Sequence, residues 1–193
     1  MPSNALRNWR QRGGRALDEL EAAHAALGGT GPGRRYATLQ INQAYAVMLS
    51  SQFQLFCRDL HTEVVDLLTR PGAVTDVRYT ILRTALTEGR KLDVGNPNPG
   101  NIGSDFDRLG LDFWREVRLA FPGVGKWRLR LEELNRWRNA IAHQDFDPAR
   151  LGGRTTLRLE RVRGWRGACD VLAIRFDRVI GRHLSRIIGR KAW

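Results

Sequence analysis

The segment Trp127-Arg128-Leu129-Arg130-Leu131-Glu132-Glu133-Leu134-Asn135-Arg136-Trp137-Arg138-Asn139-Ala140-Ile141-Ala142-His143 carries the clearest periodicity in this chain. Its residues Trp127, Leu131, Leu134, Trp137 and Ile141 follow one another at spacings of four, three, three and four. At 3.6 residues per turn those spacings put all five on one stripe of an α-helix. Polar and charged residues dominate the other positions, so the segment predicts an amphipathic helix whose stripe must be buried against other helices. Phe121 to Gly125 breaks the chain before it, and Asp147 with Pro148 is expected to close it.

The same reading extends in both directions. Gly152 and Gly153 mark a connector, and Thr155 to Leu159 alternates too weakly to be a strand. A last helix is expected from about Arg161 or Trp165 to Ile188, with Leu172, Phe176, Val179, Ile180, Leu184 and Ile187 facing inward. Upstream, Ser104 with Asp107 three residues on resembles a capping box, opening a helix that reaches about Ala120. The stretch Asp93 to Gly103, DVGNPNPGNIG, is dense in Asn, Pro and Gly and predicts a loop. A helix over roughly Thr75 to Glu88 is carried by Val74, Val77, Ile81, Leu82 and Leu86, and Pro71 with Gly72 stops the helix before it. Arg34 to Leu68 contains neither Gly nor Pro and predicts one long helix. Before it, the glycines between Gly28 and Gly33 end a first helix, Asn4 to Leu27, weakened near Gly13 and Gly14. The expectation is an all-α protein of about five to six helices. It forms a single domain over residues 1–193, with residues 1–30 as an N-terminal helical extension.

At 193 residues and 42% hydrophobic, the chain has enough apolar material for one core without disulfides or metal. Cys57 and Cys169 fall within helices and lack partners at metal-ligand spacing, so they read as reduced core thiols. No membrane span or signal peptide is visible, which points to the cytoplasm. The net charge of +12 exceeds what solubility needs and favours a polyanionic partner such as nucleic acid, RNA being the expected one, although charge alone does not name it. From Arg150 to Trp193 there are 12 Lys and Arg against Glu160, Asp170 and Asp177, a local balance of +9. Within that quarter Arg175, Arg178, Arg182, Arg186 and Arg190 recur every three or four residues as a basic stripe suited to a phosphate backbone.

The chemistry concentrates at the end of the Trp127–His143 helix. Residues four apart stack on one side of a helix, so Asn135, Asn139 and His143 form a polar row, with Arg138, Ala142 and Asp145 in the row beside it. Arg138 and His143 are roughly 140° apart, but Ala142 is small enough for the long Arg side chain to swing across it. Both can then address one ligand. Trp127 and Trp137 occupy stripe positions and read as core or interface residues. His61, flanked by Asp59 and Glu63, is a candidate second polar shell, whereas His24 and His183 have no partner visible in sequence.

Arg138-Asn139-Ala140-Ile141-Ala142-His143 resembles the motif of the HEPN superfamily, in which Arg, frequently followed by Asn, precedes a His by four to six residues. The loop Gly95-Asn96-Pro97-Asn98-Pro99-Gly100-Asn101-Ile102 is similar to the Asn/Pro-rich segment ahead of that helix in several bacterial HEPN groups. The likeness spans roughly Leu39 to Ile188 and leaves out the N-terminal helix. It implies an antiparallel helical bundle that pairs as a homodimer, the two motifs sharing one cleft. Many such proteins cleave RNA without metal and serve as toxins in toxin–antitoxin, abortive-infection or phage-defence systems. His143 would handle the proton of the 2′-hydroxyl, Arg138 would neutralise the phosphoryl charge, and Asn139 would orient either. Asn135 and Asp145 would support them, Arg175, Arg178, Arg182 and Arg186 would bind RNA, and no metal or cofactor is called for. An antitoxin protein is a further expected partner. Where members silenced by nucleotide transfer carry Tyr two residues after the His, this chain has Asp145, which counts against that control. The alternative is a non-catalytic module that binds RNA, nucleotide or a protein.

Overall fold

The computed structural model describes residues 1–27, 34–69 and 76–193, and among them every regular element is helical. Helix α1 (Asn4–Asn8) passes through a π-helical turn at Trp9–Gly13 into α2 (Gly14–Leu27). Then follow α3 (Arg34–Leu68), α4 (Asp76–Thr87), α5 (Lys91–Val94), α6 (Pro99–Asp107) and α7 (Phe113–Ala120). A 3-10 turn (Pro122–Val124) leads into α8 (Gly125–His143), and α9 (Leu159–Ile188) completes the chain. The long helix Arg34–Leu68 has the bounds its composition predicts. Gly28 to Gly33, Pro71, Gly72 and Val74 lie outside the described residues.

Helices α3, α8 and α9 are the frame. Tyr45 meets Arg166 and Phe53 meets Phe176, so α3 and α9 run in the same direction. The stripe of α8 enters the core as its spacing requires, with Leu131, Leu134 and Trp137 buried and the Trp137 ring 6.3 Å from that of Trp165 on α9. An aromatic cluster of Phe53, Phe106, Phe113, Trp114 and Phe176 closes the far end, Phe113 lying 4.7 Å from Phe106 and 4.8 Å from Phe176. Such rings bury large apolar area and add edge-to-face attraction.

The N-terminal helices share this core through Ala5, Leu6, Trp9 and Leu17. The first amides of α1, which have no partner inside the helix, are held from outside it: the Glu63 carboxylate accepts from Asn4 N and Ala5 N at 3.0 Å. The weak point foreseen at Gly13 and Gly14 is where the π-helical turn ends. Arg166 then ties α2 to α3 and α9, donating to Asp18 (2.7 Å), Tyr45 (3.2 Å) and Glu21 (3.5 Å).

Several expectations need correction. The segment Asp93 to Gly103 is a loop only around Asn96 to Asn98, because Asn98 and Pro99 are the N-cap and first residue of α6. Asn98 Oδ1 accepts from Asn101 N at 2.8 Å, and proline suits a first position whose amide has no helical partner. Ser104 therefore lies inside α6 and caps nothing, and Asp112 rather than Ser104 opens the helix that ends at Ala120. The helix count rises accordingly above five to six. On α4, Val77 and Ile81 are exposed at 70% and 64%, and on α9 Ile187 is likewise exposed.

His61 is a core residue rather than part of a polar cleft. Its Nε2 donates to the Asp105 carbonyl at 3.1 Å and its ring sits edge-on to Phe106. Burial, with Arg90 second, pushes its pKa down from 6.5 to about 4. Between those values the unfolded chain binds a proton that the folded chain excludes. Stability from this group is complete above pH 6.5 and declines as pH falls toward 4, by at most about 3 kcal/mol. In urea titrations His61→Gln should flatten the decline between pH 6.5 and about 5; an unchanged slope would assign that decline to other groups.

Candidate functional site

The site grows from the tight turn after α5. Gly95 has no room for a side chain, since a Cβ would stand 2.6 Å from Asn101 Nδ2. That close approach lets the Asn101 amide donate to the Asn96 carbonyl at 2.8 Å. Asn98 Nδ2 donates to Asn96 Oδ1 at 2.9 Å, so the Asn96 amide is held with its nitrogen pointing away from the loop. That nitrogen donates to Asn139 Oδ1 on α8 at 3.0 Å.

Asn139 Oδ1 also accepts from the Arg138 guanidinium at 3.3 Å. Arg138 thus reaches its neighbour in the row that holds Asn139. With its oxygen taken twice, Asn139 presents its amide nitrogen outward. Beside the guanidinium this makes an all-donor surface, which matches an anion.

Asn135 does not join that surface. It is buried, and its Nδ2 donates to the Leu131 carbonyl (2.8 Å) and the Pro97 carbonyl (3.1 Å), while Ser50 Oγ donates to its Oδ1 (3.4 Å). Its role is to pin the Asn/Pro loop and α3 to α8. Sequence reasoning missed Asn96 as a functional residue. The Asn-rich loop was visible, but only the fold selects which asparagine meets Asn139.

His143 is the last residue of α8 and is exposed, with Gln144 following in the left-handed region at φ 53°. Asp145 N donates to the Ala140 carbonyl at 2.9 Å and Gln144 N to the Ile141 carbonyl at 3.3 Å. This double bond pattern usually has glycine where Gln144 stands. The Gln144 side chain compensates by donating to the Ile141 carbonyl at 2.8 Å. The turn sends the chain away directly after His143, leaving the imidazole open to solvent. Asp145 turns from it and pairs with Arg150 at 3.2 Å.

The basic stripe lies elsewhere. The Arg175 guanidinium is 5.1 Å from the centre of the Phe121 ring, just before α8 begins, whereas His143 ends α8. Roughly 27 Å of helix separates the two levels, and Arg178, Arg182 and Arg186 lie farther along α9. Arg178 and Arg182 are exposed, and Arg186 is 3.8 Å from Glu116. If the stripe tracks a phosphate backbone, replacing Arg178, Arg182 and Arg186 together by Gln should weaken RNA binding and flatten its salt dependence with the helicity intact. An unaltered affinity and salt slope would leave the stripe a solvated face.

No family model, no curated protein and no solved structure matches this chain. The described helices include none long and apolar enough to cross a membrane.

Proposed function

We propose that this protein is a metal-independent endoribonuclease of HEPN type, with Arg138, Asn139 and His143 as its working groups. The observation that carries the reading is the Arg138–Asn139–Asn96 chain, which turns donors outward one helical turn from an exposed imidazole. In-line attack of a 2′-hydroxyl needs a group to take its proton and donors for the charge gathering on the phosphoryl oxygens. His143 supplies the first. Arg138 and the Asn139 amide supply the second, and the products are a 2′,3′-cyclic phosphate and a 5′-hydroxyl. The protein works as a homodimer in which two such surfaces face one strand, in the manner of toxins held in check by an antitoxin or released during phage infection.

One observation favours binding without cleavage. Asp145 is engaged by Arg150, and among the described residues no carboxylate meets His143 to set its tautomer. The reading that follows is a module whose donor surface holds the phosphate of RNA or a nucleotide.

One experiment separates the two. Protein from gel filtration, its mass taken by light scattering, is incubated with total RNA in excess EDTA. The nuclease yields fragments ending in cyclic phosphate, and the binding module yields only retention. A mass near the 21.9 kDa of one chain across micromolar concentrations would eliminate the shared cleft.

A further inference from the structure

A second basic site lies round α8 from the Asn139 surface. Arg130 is nine residues before Asn139, hence roughly 180° away on the helix. There, between α8, residues 154–158 and the first turns of α9, opens a cleft of about 870 Å³. Four guanidinium groups line it, from Arg130, Arg154, Arg158 and Arg161, against the carboxylates of Glu133 and Glu160.

These charges are not equally available. The Glu133 carboxylate is fully occupied, accepting from Arg161 on one oxygen and from Trp165 Nε1 at 2.9 Å on the other. Arg130 reaches across to the Gly164 carbonyl at 3.2 Å, which fixes one wall. Arg154 and Arg158 are exposed and have no ion pair or side-chain hydrogen bond among the described residues. Glu160 is the one carboxylate in the cleft left uncompensated.

The backbone adds to this field. Helix α9 is 30 residues long and starts with no side-chain cap; Arg161 N donates to the Arg158 carbonyl at 3.1 Å, so the Leu159 and Glu160 amides and the positive end of the dipole are left without a partner inside the helix. Thr155 and Thr156, both exposed and each carrying a hydroxyl, are also in the lining. The one aromatic side chain in the lining, Trp165, is 1% exposed and has no face free for a base. Two free guanidinium groups, an uncapped long helix and hydroxyl donors suit a group with several anionic oxygens. The absence of a stacking surface makes its recognition independent of the base.

We propose that this cleft is a phosphate-binding site, separate from the Arg138–His143 surface and gripping its ligand through Arg154, Arg158 and the N-terminus of α9. The phosphate belongs either to a compact polyphosphate or to the backbone of a nucleic acid, and the test has an arm for each. The site stands whether or not the protein cleaves RNA.

The full chain is titrated with inorganic tripolyphosphate by calorimetry and with a short fluorescent 2′-O-methyl oligonucleotide by anisotropy, the latter lacking the hydroxyl needed for self-cleavage. Arg154→Gln/Arg158→Gln should lower affinity roughly tenfold. It should also reduce the dependence of log K on log salt by about 0.7 for each lost contact with a single strand. Glu160→Gln should raise affinity at least about twofold, since it removes the one carboxylate of the cleft that no cation offsets. Arg115→Gln/Arg118→Gln removes equal charge from exposed positions of α7, outside both the cleft and the basic stripe, and serves as the control for the overall field. Both responses with tripolyphosphate assign the site to a compact polyphosphate, and both with the oligonucleotide alone assign it to a backbone. If the cleft variants change neither titration by more than the control, the proposal is overturned. All substituted side chains are on the surface, so unchanged circular dichroism is expected throughout.

Discussion

His143→Ala and Arg138→Ala are each expected to lower RNA cleavage by on the order of a hundredfold or more. The first removes the group that moves the proton, and the second removes charge from where it accumulates. Binding should survive better than turnover, because Asn139 and the rest of the basic surface remain. Arg138→Lys is the sharper probe. Lysine keeps the charge but loses the planar fork, which holds the Asn139 oxygen with one nitrogen while addressing phosphate with the others, so only part of the rate should return. Asn96→Ala leaves the ligand surface untouched yet frees the Asn139 amide to rotate, and an intermediate loss is expected. The enzyme reading is abandoned if wild type and His143→Ala degrade RNA equally in EDTA, since that activity would come from a contaminant.

Asn135→Ala is expected to cost about 2–4 kcal/mol of stability. It would leave the Pro97 carbonyl and the buried Ser50 hydroxyl without their partner in a region closed to water. Asn135→Asp has nearly the same shape, yet should be at least as damaging. An oxygen would replace the nitrogen that now faces two carbonyls, at 2.8 and 3.1 Å, turning two attractions into repulsions. Urea midpoints for the two variants decide the matter. If Asp is tolerated while Ala is not, the residue fills space and its hydrogen bonds are incidental. Loss of the pin should also release the Asn96 turn from Asn139, so cleavage by any folded fraction should fall as well.

The contrast between His143 and Asn135 shows how much of the site a linear reading recovers. Both lie in one polar row by their spacing of eight residues, but one ends exposed at the helix terminus and the other is buried beneath Pro97. Helical spacing states only the angle at which a side chain leaves its own helix. What stands opposite depends on which element packs there. The Asn/Pro loop covers Asn135 and stops at Asn139, leaving His143 free.

From the sequence alone came the all-α class and the three framing helices, because these rest on local periodicity and on the absence of Gly and Pro from Arg34 to Leu68. The start of α6 was legible too, in Asn98-Pro99, and was missed only because the Asn and Pro density around it reads as loop. Tertiary structure alone decided the rest. Asn96 and Asn139 are 43 residues apart, and their hydrogen bond exists because α6 packs beside α8. The α9 arginines divide for the same reason. Arg161 lines a cleft near α8, Arg166 is locked against α2, Arg175 lies over Phe121, and Arg178 and Arg182 stay in solvent. All belong to one charged helix in the sequence, and what separates them is the packing partner that each meets.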